Sequence, residues 1–129
     1  LRAALDGYNR DAFPELWAEV QADIGDALYV VSDRAGGIAG NLREAIAAYA
    51  ASQGVYTRAD HPLAWARAEH SIGSAYADWG RLVGDRALIA TGRDHVRAAW
   101  DVYKADSGKY DAQFAAELAA LDQALANMS

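Results

Sequence analysis

There is no cysteine in the chain, so neither a disulfide framework nor a thiolate site for metal binding or catalysis is available to it. Lysine is almost missing as well: only Lys104 and Lys109 accompany the arginines, and the formal net charge is −6. That balance argues against a nucleic-acid partner, since a nucleic-acid reader carries a basic stripe along one face. No apolar run approaches the roughly 18–20 residues that cross a bilayer, so no membrane partner is expected. The opening Leu1-Arg2-Ala3-Ala4 carries neither Met nor a signal-peptide pattern and reads as the middle of a helix. The expectation is a cytoplasmic domain of ordinary size that is a fragment or processed form of something longer.

Proline is the most telling scarcity. The chain has two, Pro14 and Pro62, and each opens the same phrase. Pro14-Glu15-Leu16-Trp17-Ala18 returns 48 residues later as Pro62-Leu63-Ala64-Trp65-Ala66, Ile24-Gly25 returns as Ile72-Gly73, and Ala27 as Ala75. Over 13–29 against 61–77, six of seventeen positions are identical. Alanine matches carry little weight in so Ala-rich a chain, but Pro, Trp, Ile and Gly in one register signal a repeated supersecondary unit.

Those units are helical. Alanine is the commonest residue, supported by Leu, Glu, Asp and Arg, while β-branched residues are sparse. Breaks are expected at Ser32-Asp33-Arg34-Ala35-Gly36-Gly37, at Asp60-His61-Pro62, across 80–85, and at Lys104-Ala105-Asp106-Ser107-Gly108. Between them run apolar stripes at three- and four-residue spacing. Trp17, Val20, Ile24, Ala27, Leu28 and Val31 form the first, and Trp65, Ala68, Ile72, Ala75, Tyr76 and Trp79 its echo. Leu42, Ala45, Ile46 and Tyr49 mark a partner helix in the first unit; Ile89, Val96, Ala99, Trp100 and Tyr103 mark one in the second. Phe114, Leu118, Leu121 and Leu125 give a last helix one apolar face, as the end of a stack requires. Leu1, Ala4, Leu5 and Tyr8 read as the tail of one more second-type helix. The reading is an all-α single domain of stacked antiparallel helical hairpins, five or six helices in all. Residues 1–12 end a preceding unit, 13–58 and 59–108 are the two repeats, and 109–129 is a capping helix.

With the motif assembled, the chain resembles the tetratricopeptide-repeat superfamily. It is most similar to the longer bacterial variant whose units read Pro-x-x-Trp-Ala-x-x-Gln-x-x-Leu-Gly-x-Ala. Gln21 holds the Gln position and Glu69 replaces it in the second unit; Ile24 and Ile72 stand where Leu is usual. Gly25 and Gly73 match the small position where the helices of a hairpin approach closely, and Val55-Tyr56 and Val102-Tyr103, 47 apart, match the end of the second helix. The period of 47–48 exceeds the roughly 34 residues of the standard repeat. Ala22-Asp23 and His70-Ser71 replace the paired Asn residues of the variant, so its Asn-based peptide clamp is not expected.

Other chemistries lack their parts. His61, His70 and His95 are spaced 9 and 25 apart with no Glu-x-x-His or His-Glu-x-x-His motif, so no metal is expected; His61 reads as a helix-start residue and the other two as surface or groove positions. No serine lies in a Gly-x-Ser-x-Gly elbow, and the glycine-rich stretch 35–40 matches no phosphate-binding pattern. No catalytic residue and no cofactor is therefore assigned, and the chain is read as a non-enzyme. Trp17, Trp65, Trp79 and Trp100 lie on helical stripes and are read as packing residues rather than a ligand cage.

What remains is polar. Glu19, Asp23 and Asp26 share one face of the first helix by spacing, as do Arg67, Ser71 and Ser74, with His70 beside them, on its repeat. The resemblance places these residues on the concave surface of a stack, where they would bind a protein or peptide as a scaffold does. The alternatives are a helical small-molecule-binding regulatory domain and a structural spacer in a larger protein. Self-association through the first end of the chain, at Leu1, Leu5 and Tyr8, is a further expectation.

Overall fold

The computed structural model describes residues 9–128. Among them it is all-helical: α1 Pro14–Arg34, α2 Ala39–Gln53, α3 Pro62–Val83, α4 Arg86–Asp106 and α5 Asp111–Asn127. Residues 9–12 are helical too, ahead of a bend at Phe13, and no strand occurs among the described residues. Helices pack in chain order, α1 on α2, α2 on α3, α3 on α4 and α4 on α5, with the α3–α4 contact the most extensive. Leu1, Leu5 and Tyr8, and with them the expected tail of a preceding unit, lie outside the described residues.

The two prolines act alike. Each occupies the first turn of its helix, where the missing N–H has no partner to lose. The residue before a proline is pushed out of the helical region, and Phe13 and His61 take nearly the same angles, φ −137°, ψ 68° and φ −136°, ψ 66°. Phe13 N–H donates to the Asn9 carbonyl and His61 N–H to that of Thr57, both at 2.8 Å. Trp17 and Trp65 N–H then donate to Phe13 and His61, both at 2.9 Å. The Arg10 guanidinium lies 4.9 Å over the Trp17 ring and that of Arg58 lies 5.2 Å over Trp65. Backbone, hydrogen bonds and cation–π contact thus all recur at a spacing of 48.

Within each hairpin the seam is a line of small residues two turns apart. On α1 it is Ala18, Gly25 and Ser32; on α3 it is Ala66, Gly73 and Gly80, each 48 further on, and all six are buried. Their partners also correspond, Leu42, Ala45, Tyr49 and Ser52 on α2 with Ile89, Gly92, Val96 and Ala99 on α4, here 47 apart. The one-residue difference is absorbed by the turns, residues 35–38 in the first hairpin and 84–85 in the second. The second hairpin closes tightest. A Cβ built on Gly73 would stand 2.7 Å from the Gly92 carbonyl oxygen, and one on Gly92 would stand 2.5 Å from that of Gly73. At Gly25 the space is filled differently, by the Tyr49 ring, 2.7 Å from where a Cβ would be.

Three sequence expectations need correction. The break across 80–85 is shorter than read: Gly80 is helical and buried, and α3 runs on to Val83, ending at Gly84 in the left-handed region (φ 70°). Asp85 then caps α4 by accepting from the Ala87 N–H at 2.9 Å. The apolar stripe of α1 is not the core of its hairpin, because Val20 and Val31 are exposed and Trp17, Ile24 and Leu28 are only half-buried. Trp17 and Trp65, read as packing residues, are both only half-buried. The main core lies instead between α3, α4 and α5, where Ile89, Val96 and Ala99 meet Phe114, Leu118 and Leu121. The rest of α5 beyond its one apolar face is largely exposed.

Candidate functional site

Small seam residues draw α1 onto α2 and α3 onto α4, and this leaves the first helices of the two units facing one another across α2. The result is a polar groove with α1 as one wall, α3 as the other and α2 as floor. It consists of two adjoining clefts of about 360 and 290 Å3 that share Asp26, Tyr49 and Ser71. The larger is lined by Glu19, Asp23 and Asp26 on one side and Arg67 and Ser71 on the other; the smaller adds His70 and Ser74. All seven residues selected from the sequence therefore line one continuous groove, although Glu19 and Ser74 are 55 positions apart in the chain.

The floor is the part that the sequence reading missed. Tyr49, assigned to an apolar stripe, keeps its ring against Gly25 and turns its hydroxyl into the groove, donating to Asp26 Oδ1 at 2.6 Å. Burial, then the hydrogen bond and charge of Asp26, push the Tyr49 phenol well above its usual range, so it serves as a donor at every ordinary pH. Tyr56 stands near Glu19; burial and the charges of Glu19 and Glu15 raise it as well. Its hydroxyl donates to the Glu15 carbonyl at 3.2 Å, tying the turn after α2 to the start of α1. The available signal was a tyrosine, not a leucine, on the apolar stripe of α2.

Electrostatically the walls differ. Arg67 reaches Asp26 at 3.9 Å, but both side chains are largely in solvent, so the pair contributes little. Asp23 has no partner among the described residues, and it and Glu19 are exposed. His70 is engaged: its Nε2 lies 2.7 Å from Glu117 Oε2 and its ring 4.8 Å from that of Phe114, which ties the α3 wall to α5. At the far end, Tyr29 on α1 hydrogen-bonds Asp78 on α3, and Arg81 donates to the same carboxylate at 3.2 Å. Burial and Asp78 together raise the Tyr29 phenol. The groove is thus held by tyrosine–carboxylate bonds, and of its three acidic side chains only Asp23 is left without a partner among the described residues.

The other histidines separate. His61 lies at the start of α3, 5.1 Å from the Tyr56 ring. His95, expected at a surface or groove position, is half-buried between α3 and α4. Its Nδ1 lies 2.8 Å from Glu69, which also accepts from Gln53 Nε2 at 3.0 Å. Glu69 is 7% exposed. Burial by itself would raise its carboxyl, but the bonds from His95 and Gln53 and the charges of His95 and Arg58 win and hold it below the usual carboxylate range. This buried bridge joins α2, α3 and α4 where the first unit has Gln21. The four tryptophans are likewise dispersed: Trp79 stacks on Tyr76, and Trp100 stacks on Phe114 and donates to Asp111 at 2.7 Å. Among the described residues, no three His, Asp or Glu side chains gather as a metal site would require, and no helix is long and apolar enough to cross a membrane.

No protein-family model, curated protein or solved structure matches the chain.

Proposed function

We propose that this chain is a non-catalytic interaction module, a tetratricopeptide-like stack whose groove between first helices receives a peptide, a helix or another folded domain. The observation that carries the reading is the convergence of Glu19, Asp23, Asp26, Arg67, His70, Ser71 and Ser74 on one groove. The tetratricopeptide-like assignment rests on the paired Pro-x-x-Trp-Ala phrases and on the recurrence of caps, seams and cation–π contacts at 47–48 residues. The occupant is mixed in charge. Basic side chains meet Glu19 and Asp23, whose carboxylates have the room, and an acidic or carbonyl group meets Arg67.

Attraction of this kind speeds association at low salt and fades as the Debye length shrinks. The test is a peptide array spanning basic, acidic and mixed sequences, probed with the wild-type chain and with an Asp23→Lys, Arg67→Glu double variant. Wild-type protein should select peptides carrying basic residues, with affinity falling as salt rises, and the variant should lose that selection. Unchanged selection and salt dependence in the variant would move the binding site out of the groove.

A further inference from the structure

One pair of charges spans the polar groove. Asp26 stands on the α1 wall and belongs to both clefts, and Arg67 reaches it from the α3 wall, Nη2 to Oδ2 at 3.9 Å. Among the described residues lining the clefts, Arg67 is the only arginine or lysine, against three carboxylates. Asp26 is aimed from beneath. Tyr49, 3% exposed with its ring against Gly25, donates to Oδ1 at 2.6 Å, and the guanidinium lies by the other oxygen. Burial and the Asp26 bond raise the Tyr49 phenol, and the Arg67 charge opposes that rise, so the guanidinium acts over the groove floor. No hydrogen bond and no other ion pair holds Arg67 among the described residues, and its side chain is 79% exposed. The arrangement is particular to this groove. Position 67 corresponds to 19 in the first unit, which is Glu, so the arginine is a departure of the second unit. Between α3 and α5 the linking pair is of another kind, His70 to Glu117 at 2.7 Å with both side chains about two-thirds withdrawn from solvent. The Arg67 pair, longer and in solvent, contributes little to stability and is readily exchanged.

We propose that Arg67 is a displaceable strap over a subsite for an arginine side chain of the partner, whose guanidinium replaces that of Arg67 at Asp26. The proposal rests on the groove being the binding site, and it adds the identity of one contact and the way the free groove is kept closed. Chemistry suits the exchange, because the incoming group is the same as the departing one and its planar fork matches a carboxylate. Tyr49 already fixes Asp26, so the carboxylate loses little freedom when the partner arrives. Asp23, without a partner of its own, adds its charge one helical turn away. Arg67, once released, meets a carbonyl or carboxylate of the same partner. The strap inhibits only by the worth of one exposed ion pair, which is about two- to fivefold in affinity.

The probe is a capped peptide, acetyl-Gly-Arg-Ser-Gly-amide, which carries one guanidinium and no carboxylate; its twin has citrulline in place of arginine. Each is titrated into the full chain at low salt and followed by NMR chemical shifts. Arg67→Gln should bind the arginine peptide about two- to fivefold more tightly than wild type does, and both proteins should bind the citrulline peptide more weakly. Asp26→Asn should weaken binding, and in that background Arg67→Gln should bring no gain, because the strap has nothing to hold. All of these side chains reach solvent, so the variants keep the fold. Unchanged or weaker binding by Arg67→Gln overturns the strap. So does an equal gain with and without Asp26, which would make Arg67 a diffuse repulsive charge, and so does a citrulline peptide that binds as well as its twin. Asp23→Lys separates the strap from the groove reading beneath it. If Asp23→Lys weakens binding while Arg67→Gln brings no gain, the strap alone falls. If nothing binds, or if Asp23→Lys and Asp26→Asn both leave the affinity unchanged, the groove reading falls with it.

Discussion

Replacing Gly73 with alanine tests whether the repeat phrase encodes a backbone contact. Alanine is the better helix former by about 1 kcal/mol, and propensity alone therefore predicts a gain. The seam predicts a loss. The new Cβ would sit 2.7 Å from the Gly92 carbonyl oxygen and 2.9 Å from the Val96 nitrogen, both backbone atoms of α4 that cannot rotate away. Restoring ordinary contact near 3.4 Å requires α4 to retreat by roughly 0.7 Å, enough to forfeit a quarter to a half of the dispersion attraction along that seam. Overpacking of this kind costs about 1–3 kcal/mol and sometimes more. Taking the upper part of that range and subtracting the propensity gain leaves a net loss of about 2 kcal/mol. For a domain of 129 residues that is roughly 6–10 °C in Tm. Gly40, in the first turn of α2, is the control, because nothing stands within 4 Å of its would-be Cβ. Gly40→Ala should raise stability by about 0.5 kcal/mol. Thermal and urea unfolding of both variants decide the matter. If Gly73→Ala matched or exceeded wild type, the close approach of α3 and α4 would be wrong. In a Gly73→Ala, Gly92→Ala pair the second substitution should cost less than it does alone, since one retreat of α4 accommodates both.

Other perturbations follow from the same contacts. Glu69 has a lowered carboxyl in the folded state, so its stabilisation is present above the unfolded carboxylate value near 4.3 and is lost as pH falls below it; Glu69→Gln should flatten the fall in stability on the acid side of that value, and an unchanged acid limb would remove the bridge from the account. Tyr49 and Tyr29 are raised, which means that their stabilisation is complete below about pH 10 and lost above it. Tyr49→Phe should make the alkaline loss shallower by about one proton's worth and release Asp26, readable by urea unfolding at a series of pH values. Trp65 packs against the main core whereas Trp17 borders a groove, so Trp65→Ala should cost about 3 kcal/mol and Trp17→Ala about 1–2 kcal/mol, both at or below the core range; equal losses would contradict the unequal covering of the two faces.

Much of this architecture was legible because it depends on local rules. A proline after a bend and apolar residues every three or four place helices without reference to distant chain. The polar groove was legible for a related reason. Once two first helices are known to repeat, helical spacing alone puts Glu19, Asp23 and Asp26 on one face and Arg67, Ser71 and Ser74 on the matching face. Tyr49 was misread because hydropathy describes a side chain as one object. Its ring fills the space at Gly25 while its hydroxyl, some 23 residues from Asp26 in sequence, completes the groove floor.

The stripe of α1 was misread for a different reason. Periodicity shows which face of a helix is apolar, but it does not show what covers that face. In α3 the same stripe is core because α2 precedes it, and in α1 it borders a groove. The hairpin seam meanwhile runs along Ala18, Gly25 and Ser32, residues too small to register as hydrophobic signal at all. On α1 and α3 the large apolar side chains mark where units meet one another, and the small ones mark where the helix meets its own hairpin partner. Glu69 belongs to the first class of position and shows its cost: a carboxylate replaces Gln21's amide between units, and His95, Gln53 and Arg58 are arranged around it to keep it charged. A second unit that tolerates a buried anion there is committed to having α2 above it, because only α2 brings Gln53 to that carboxylate.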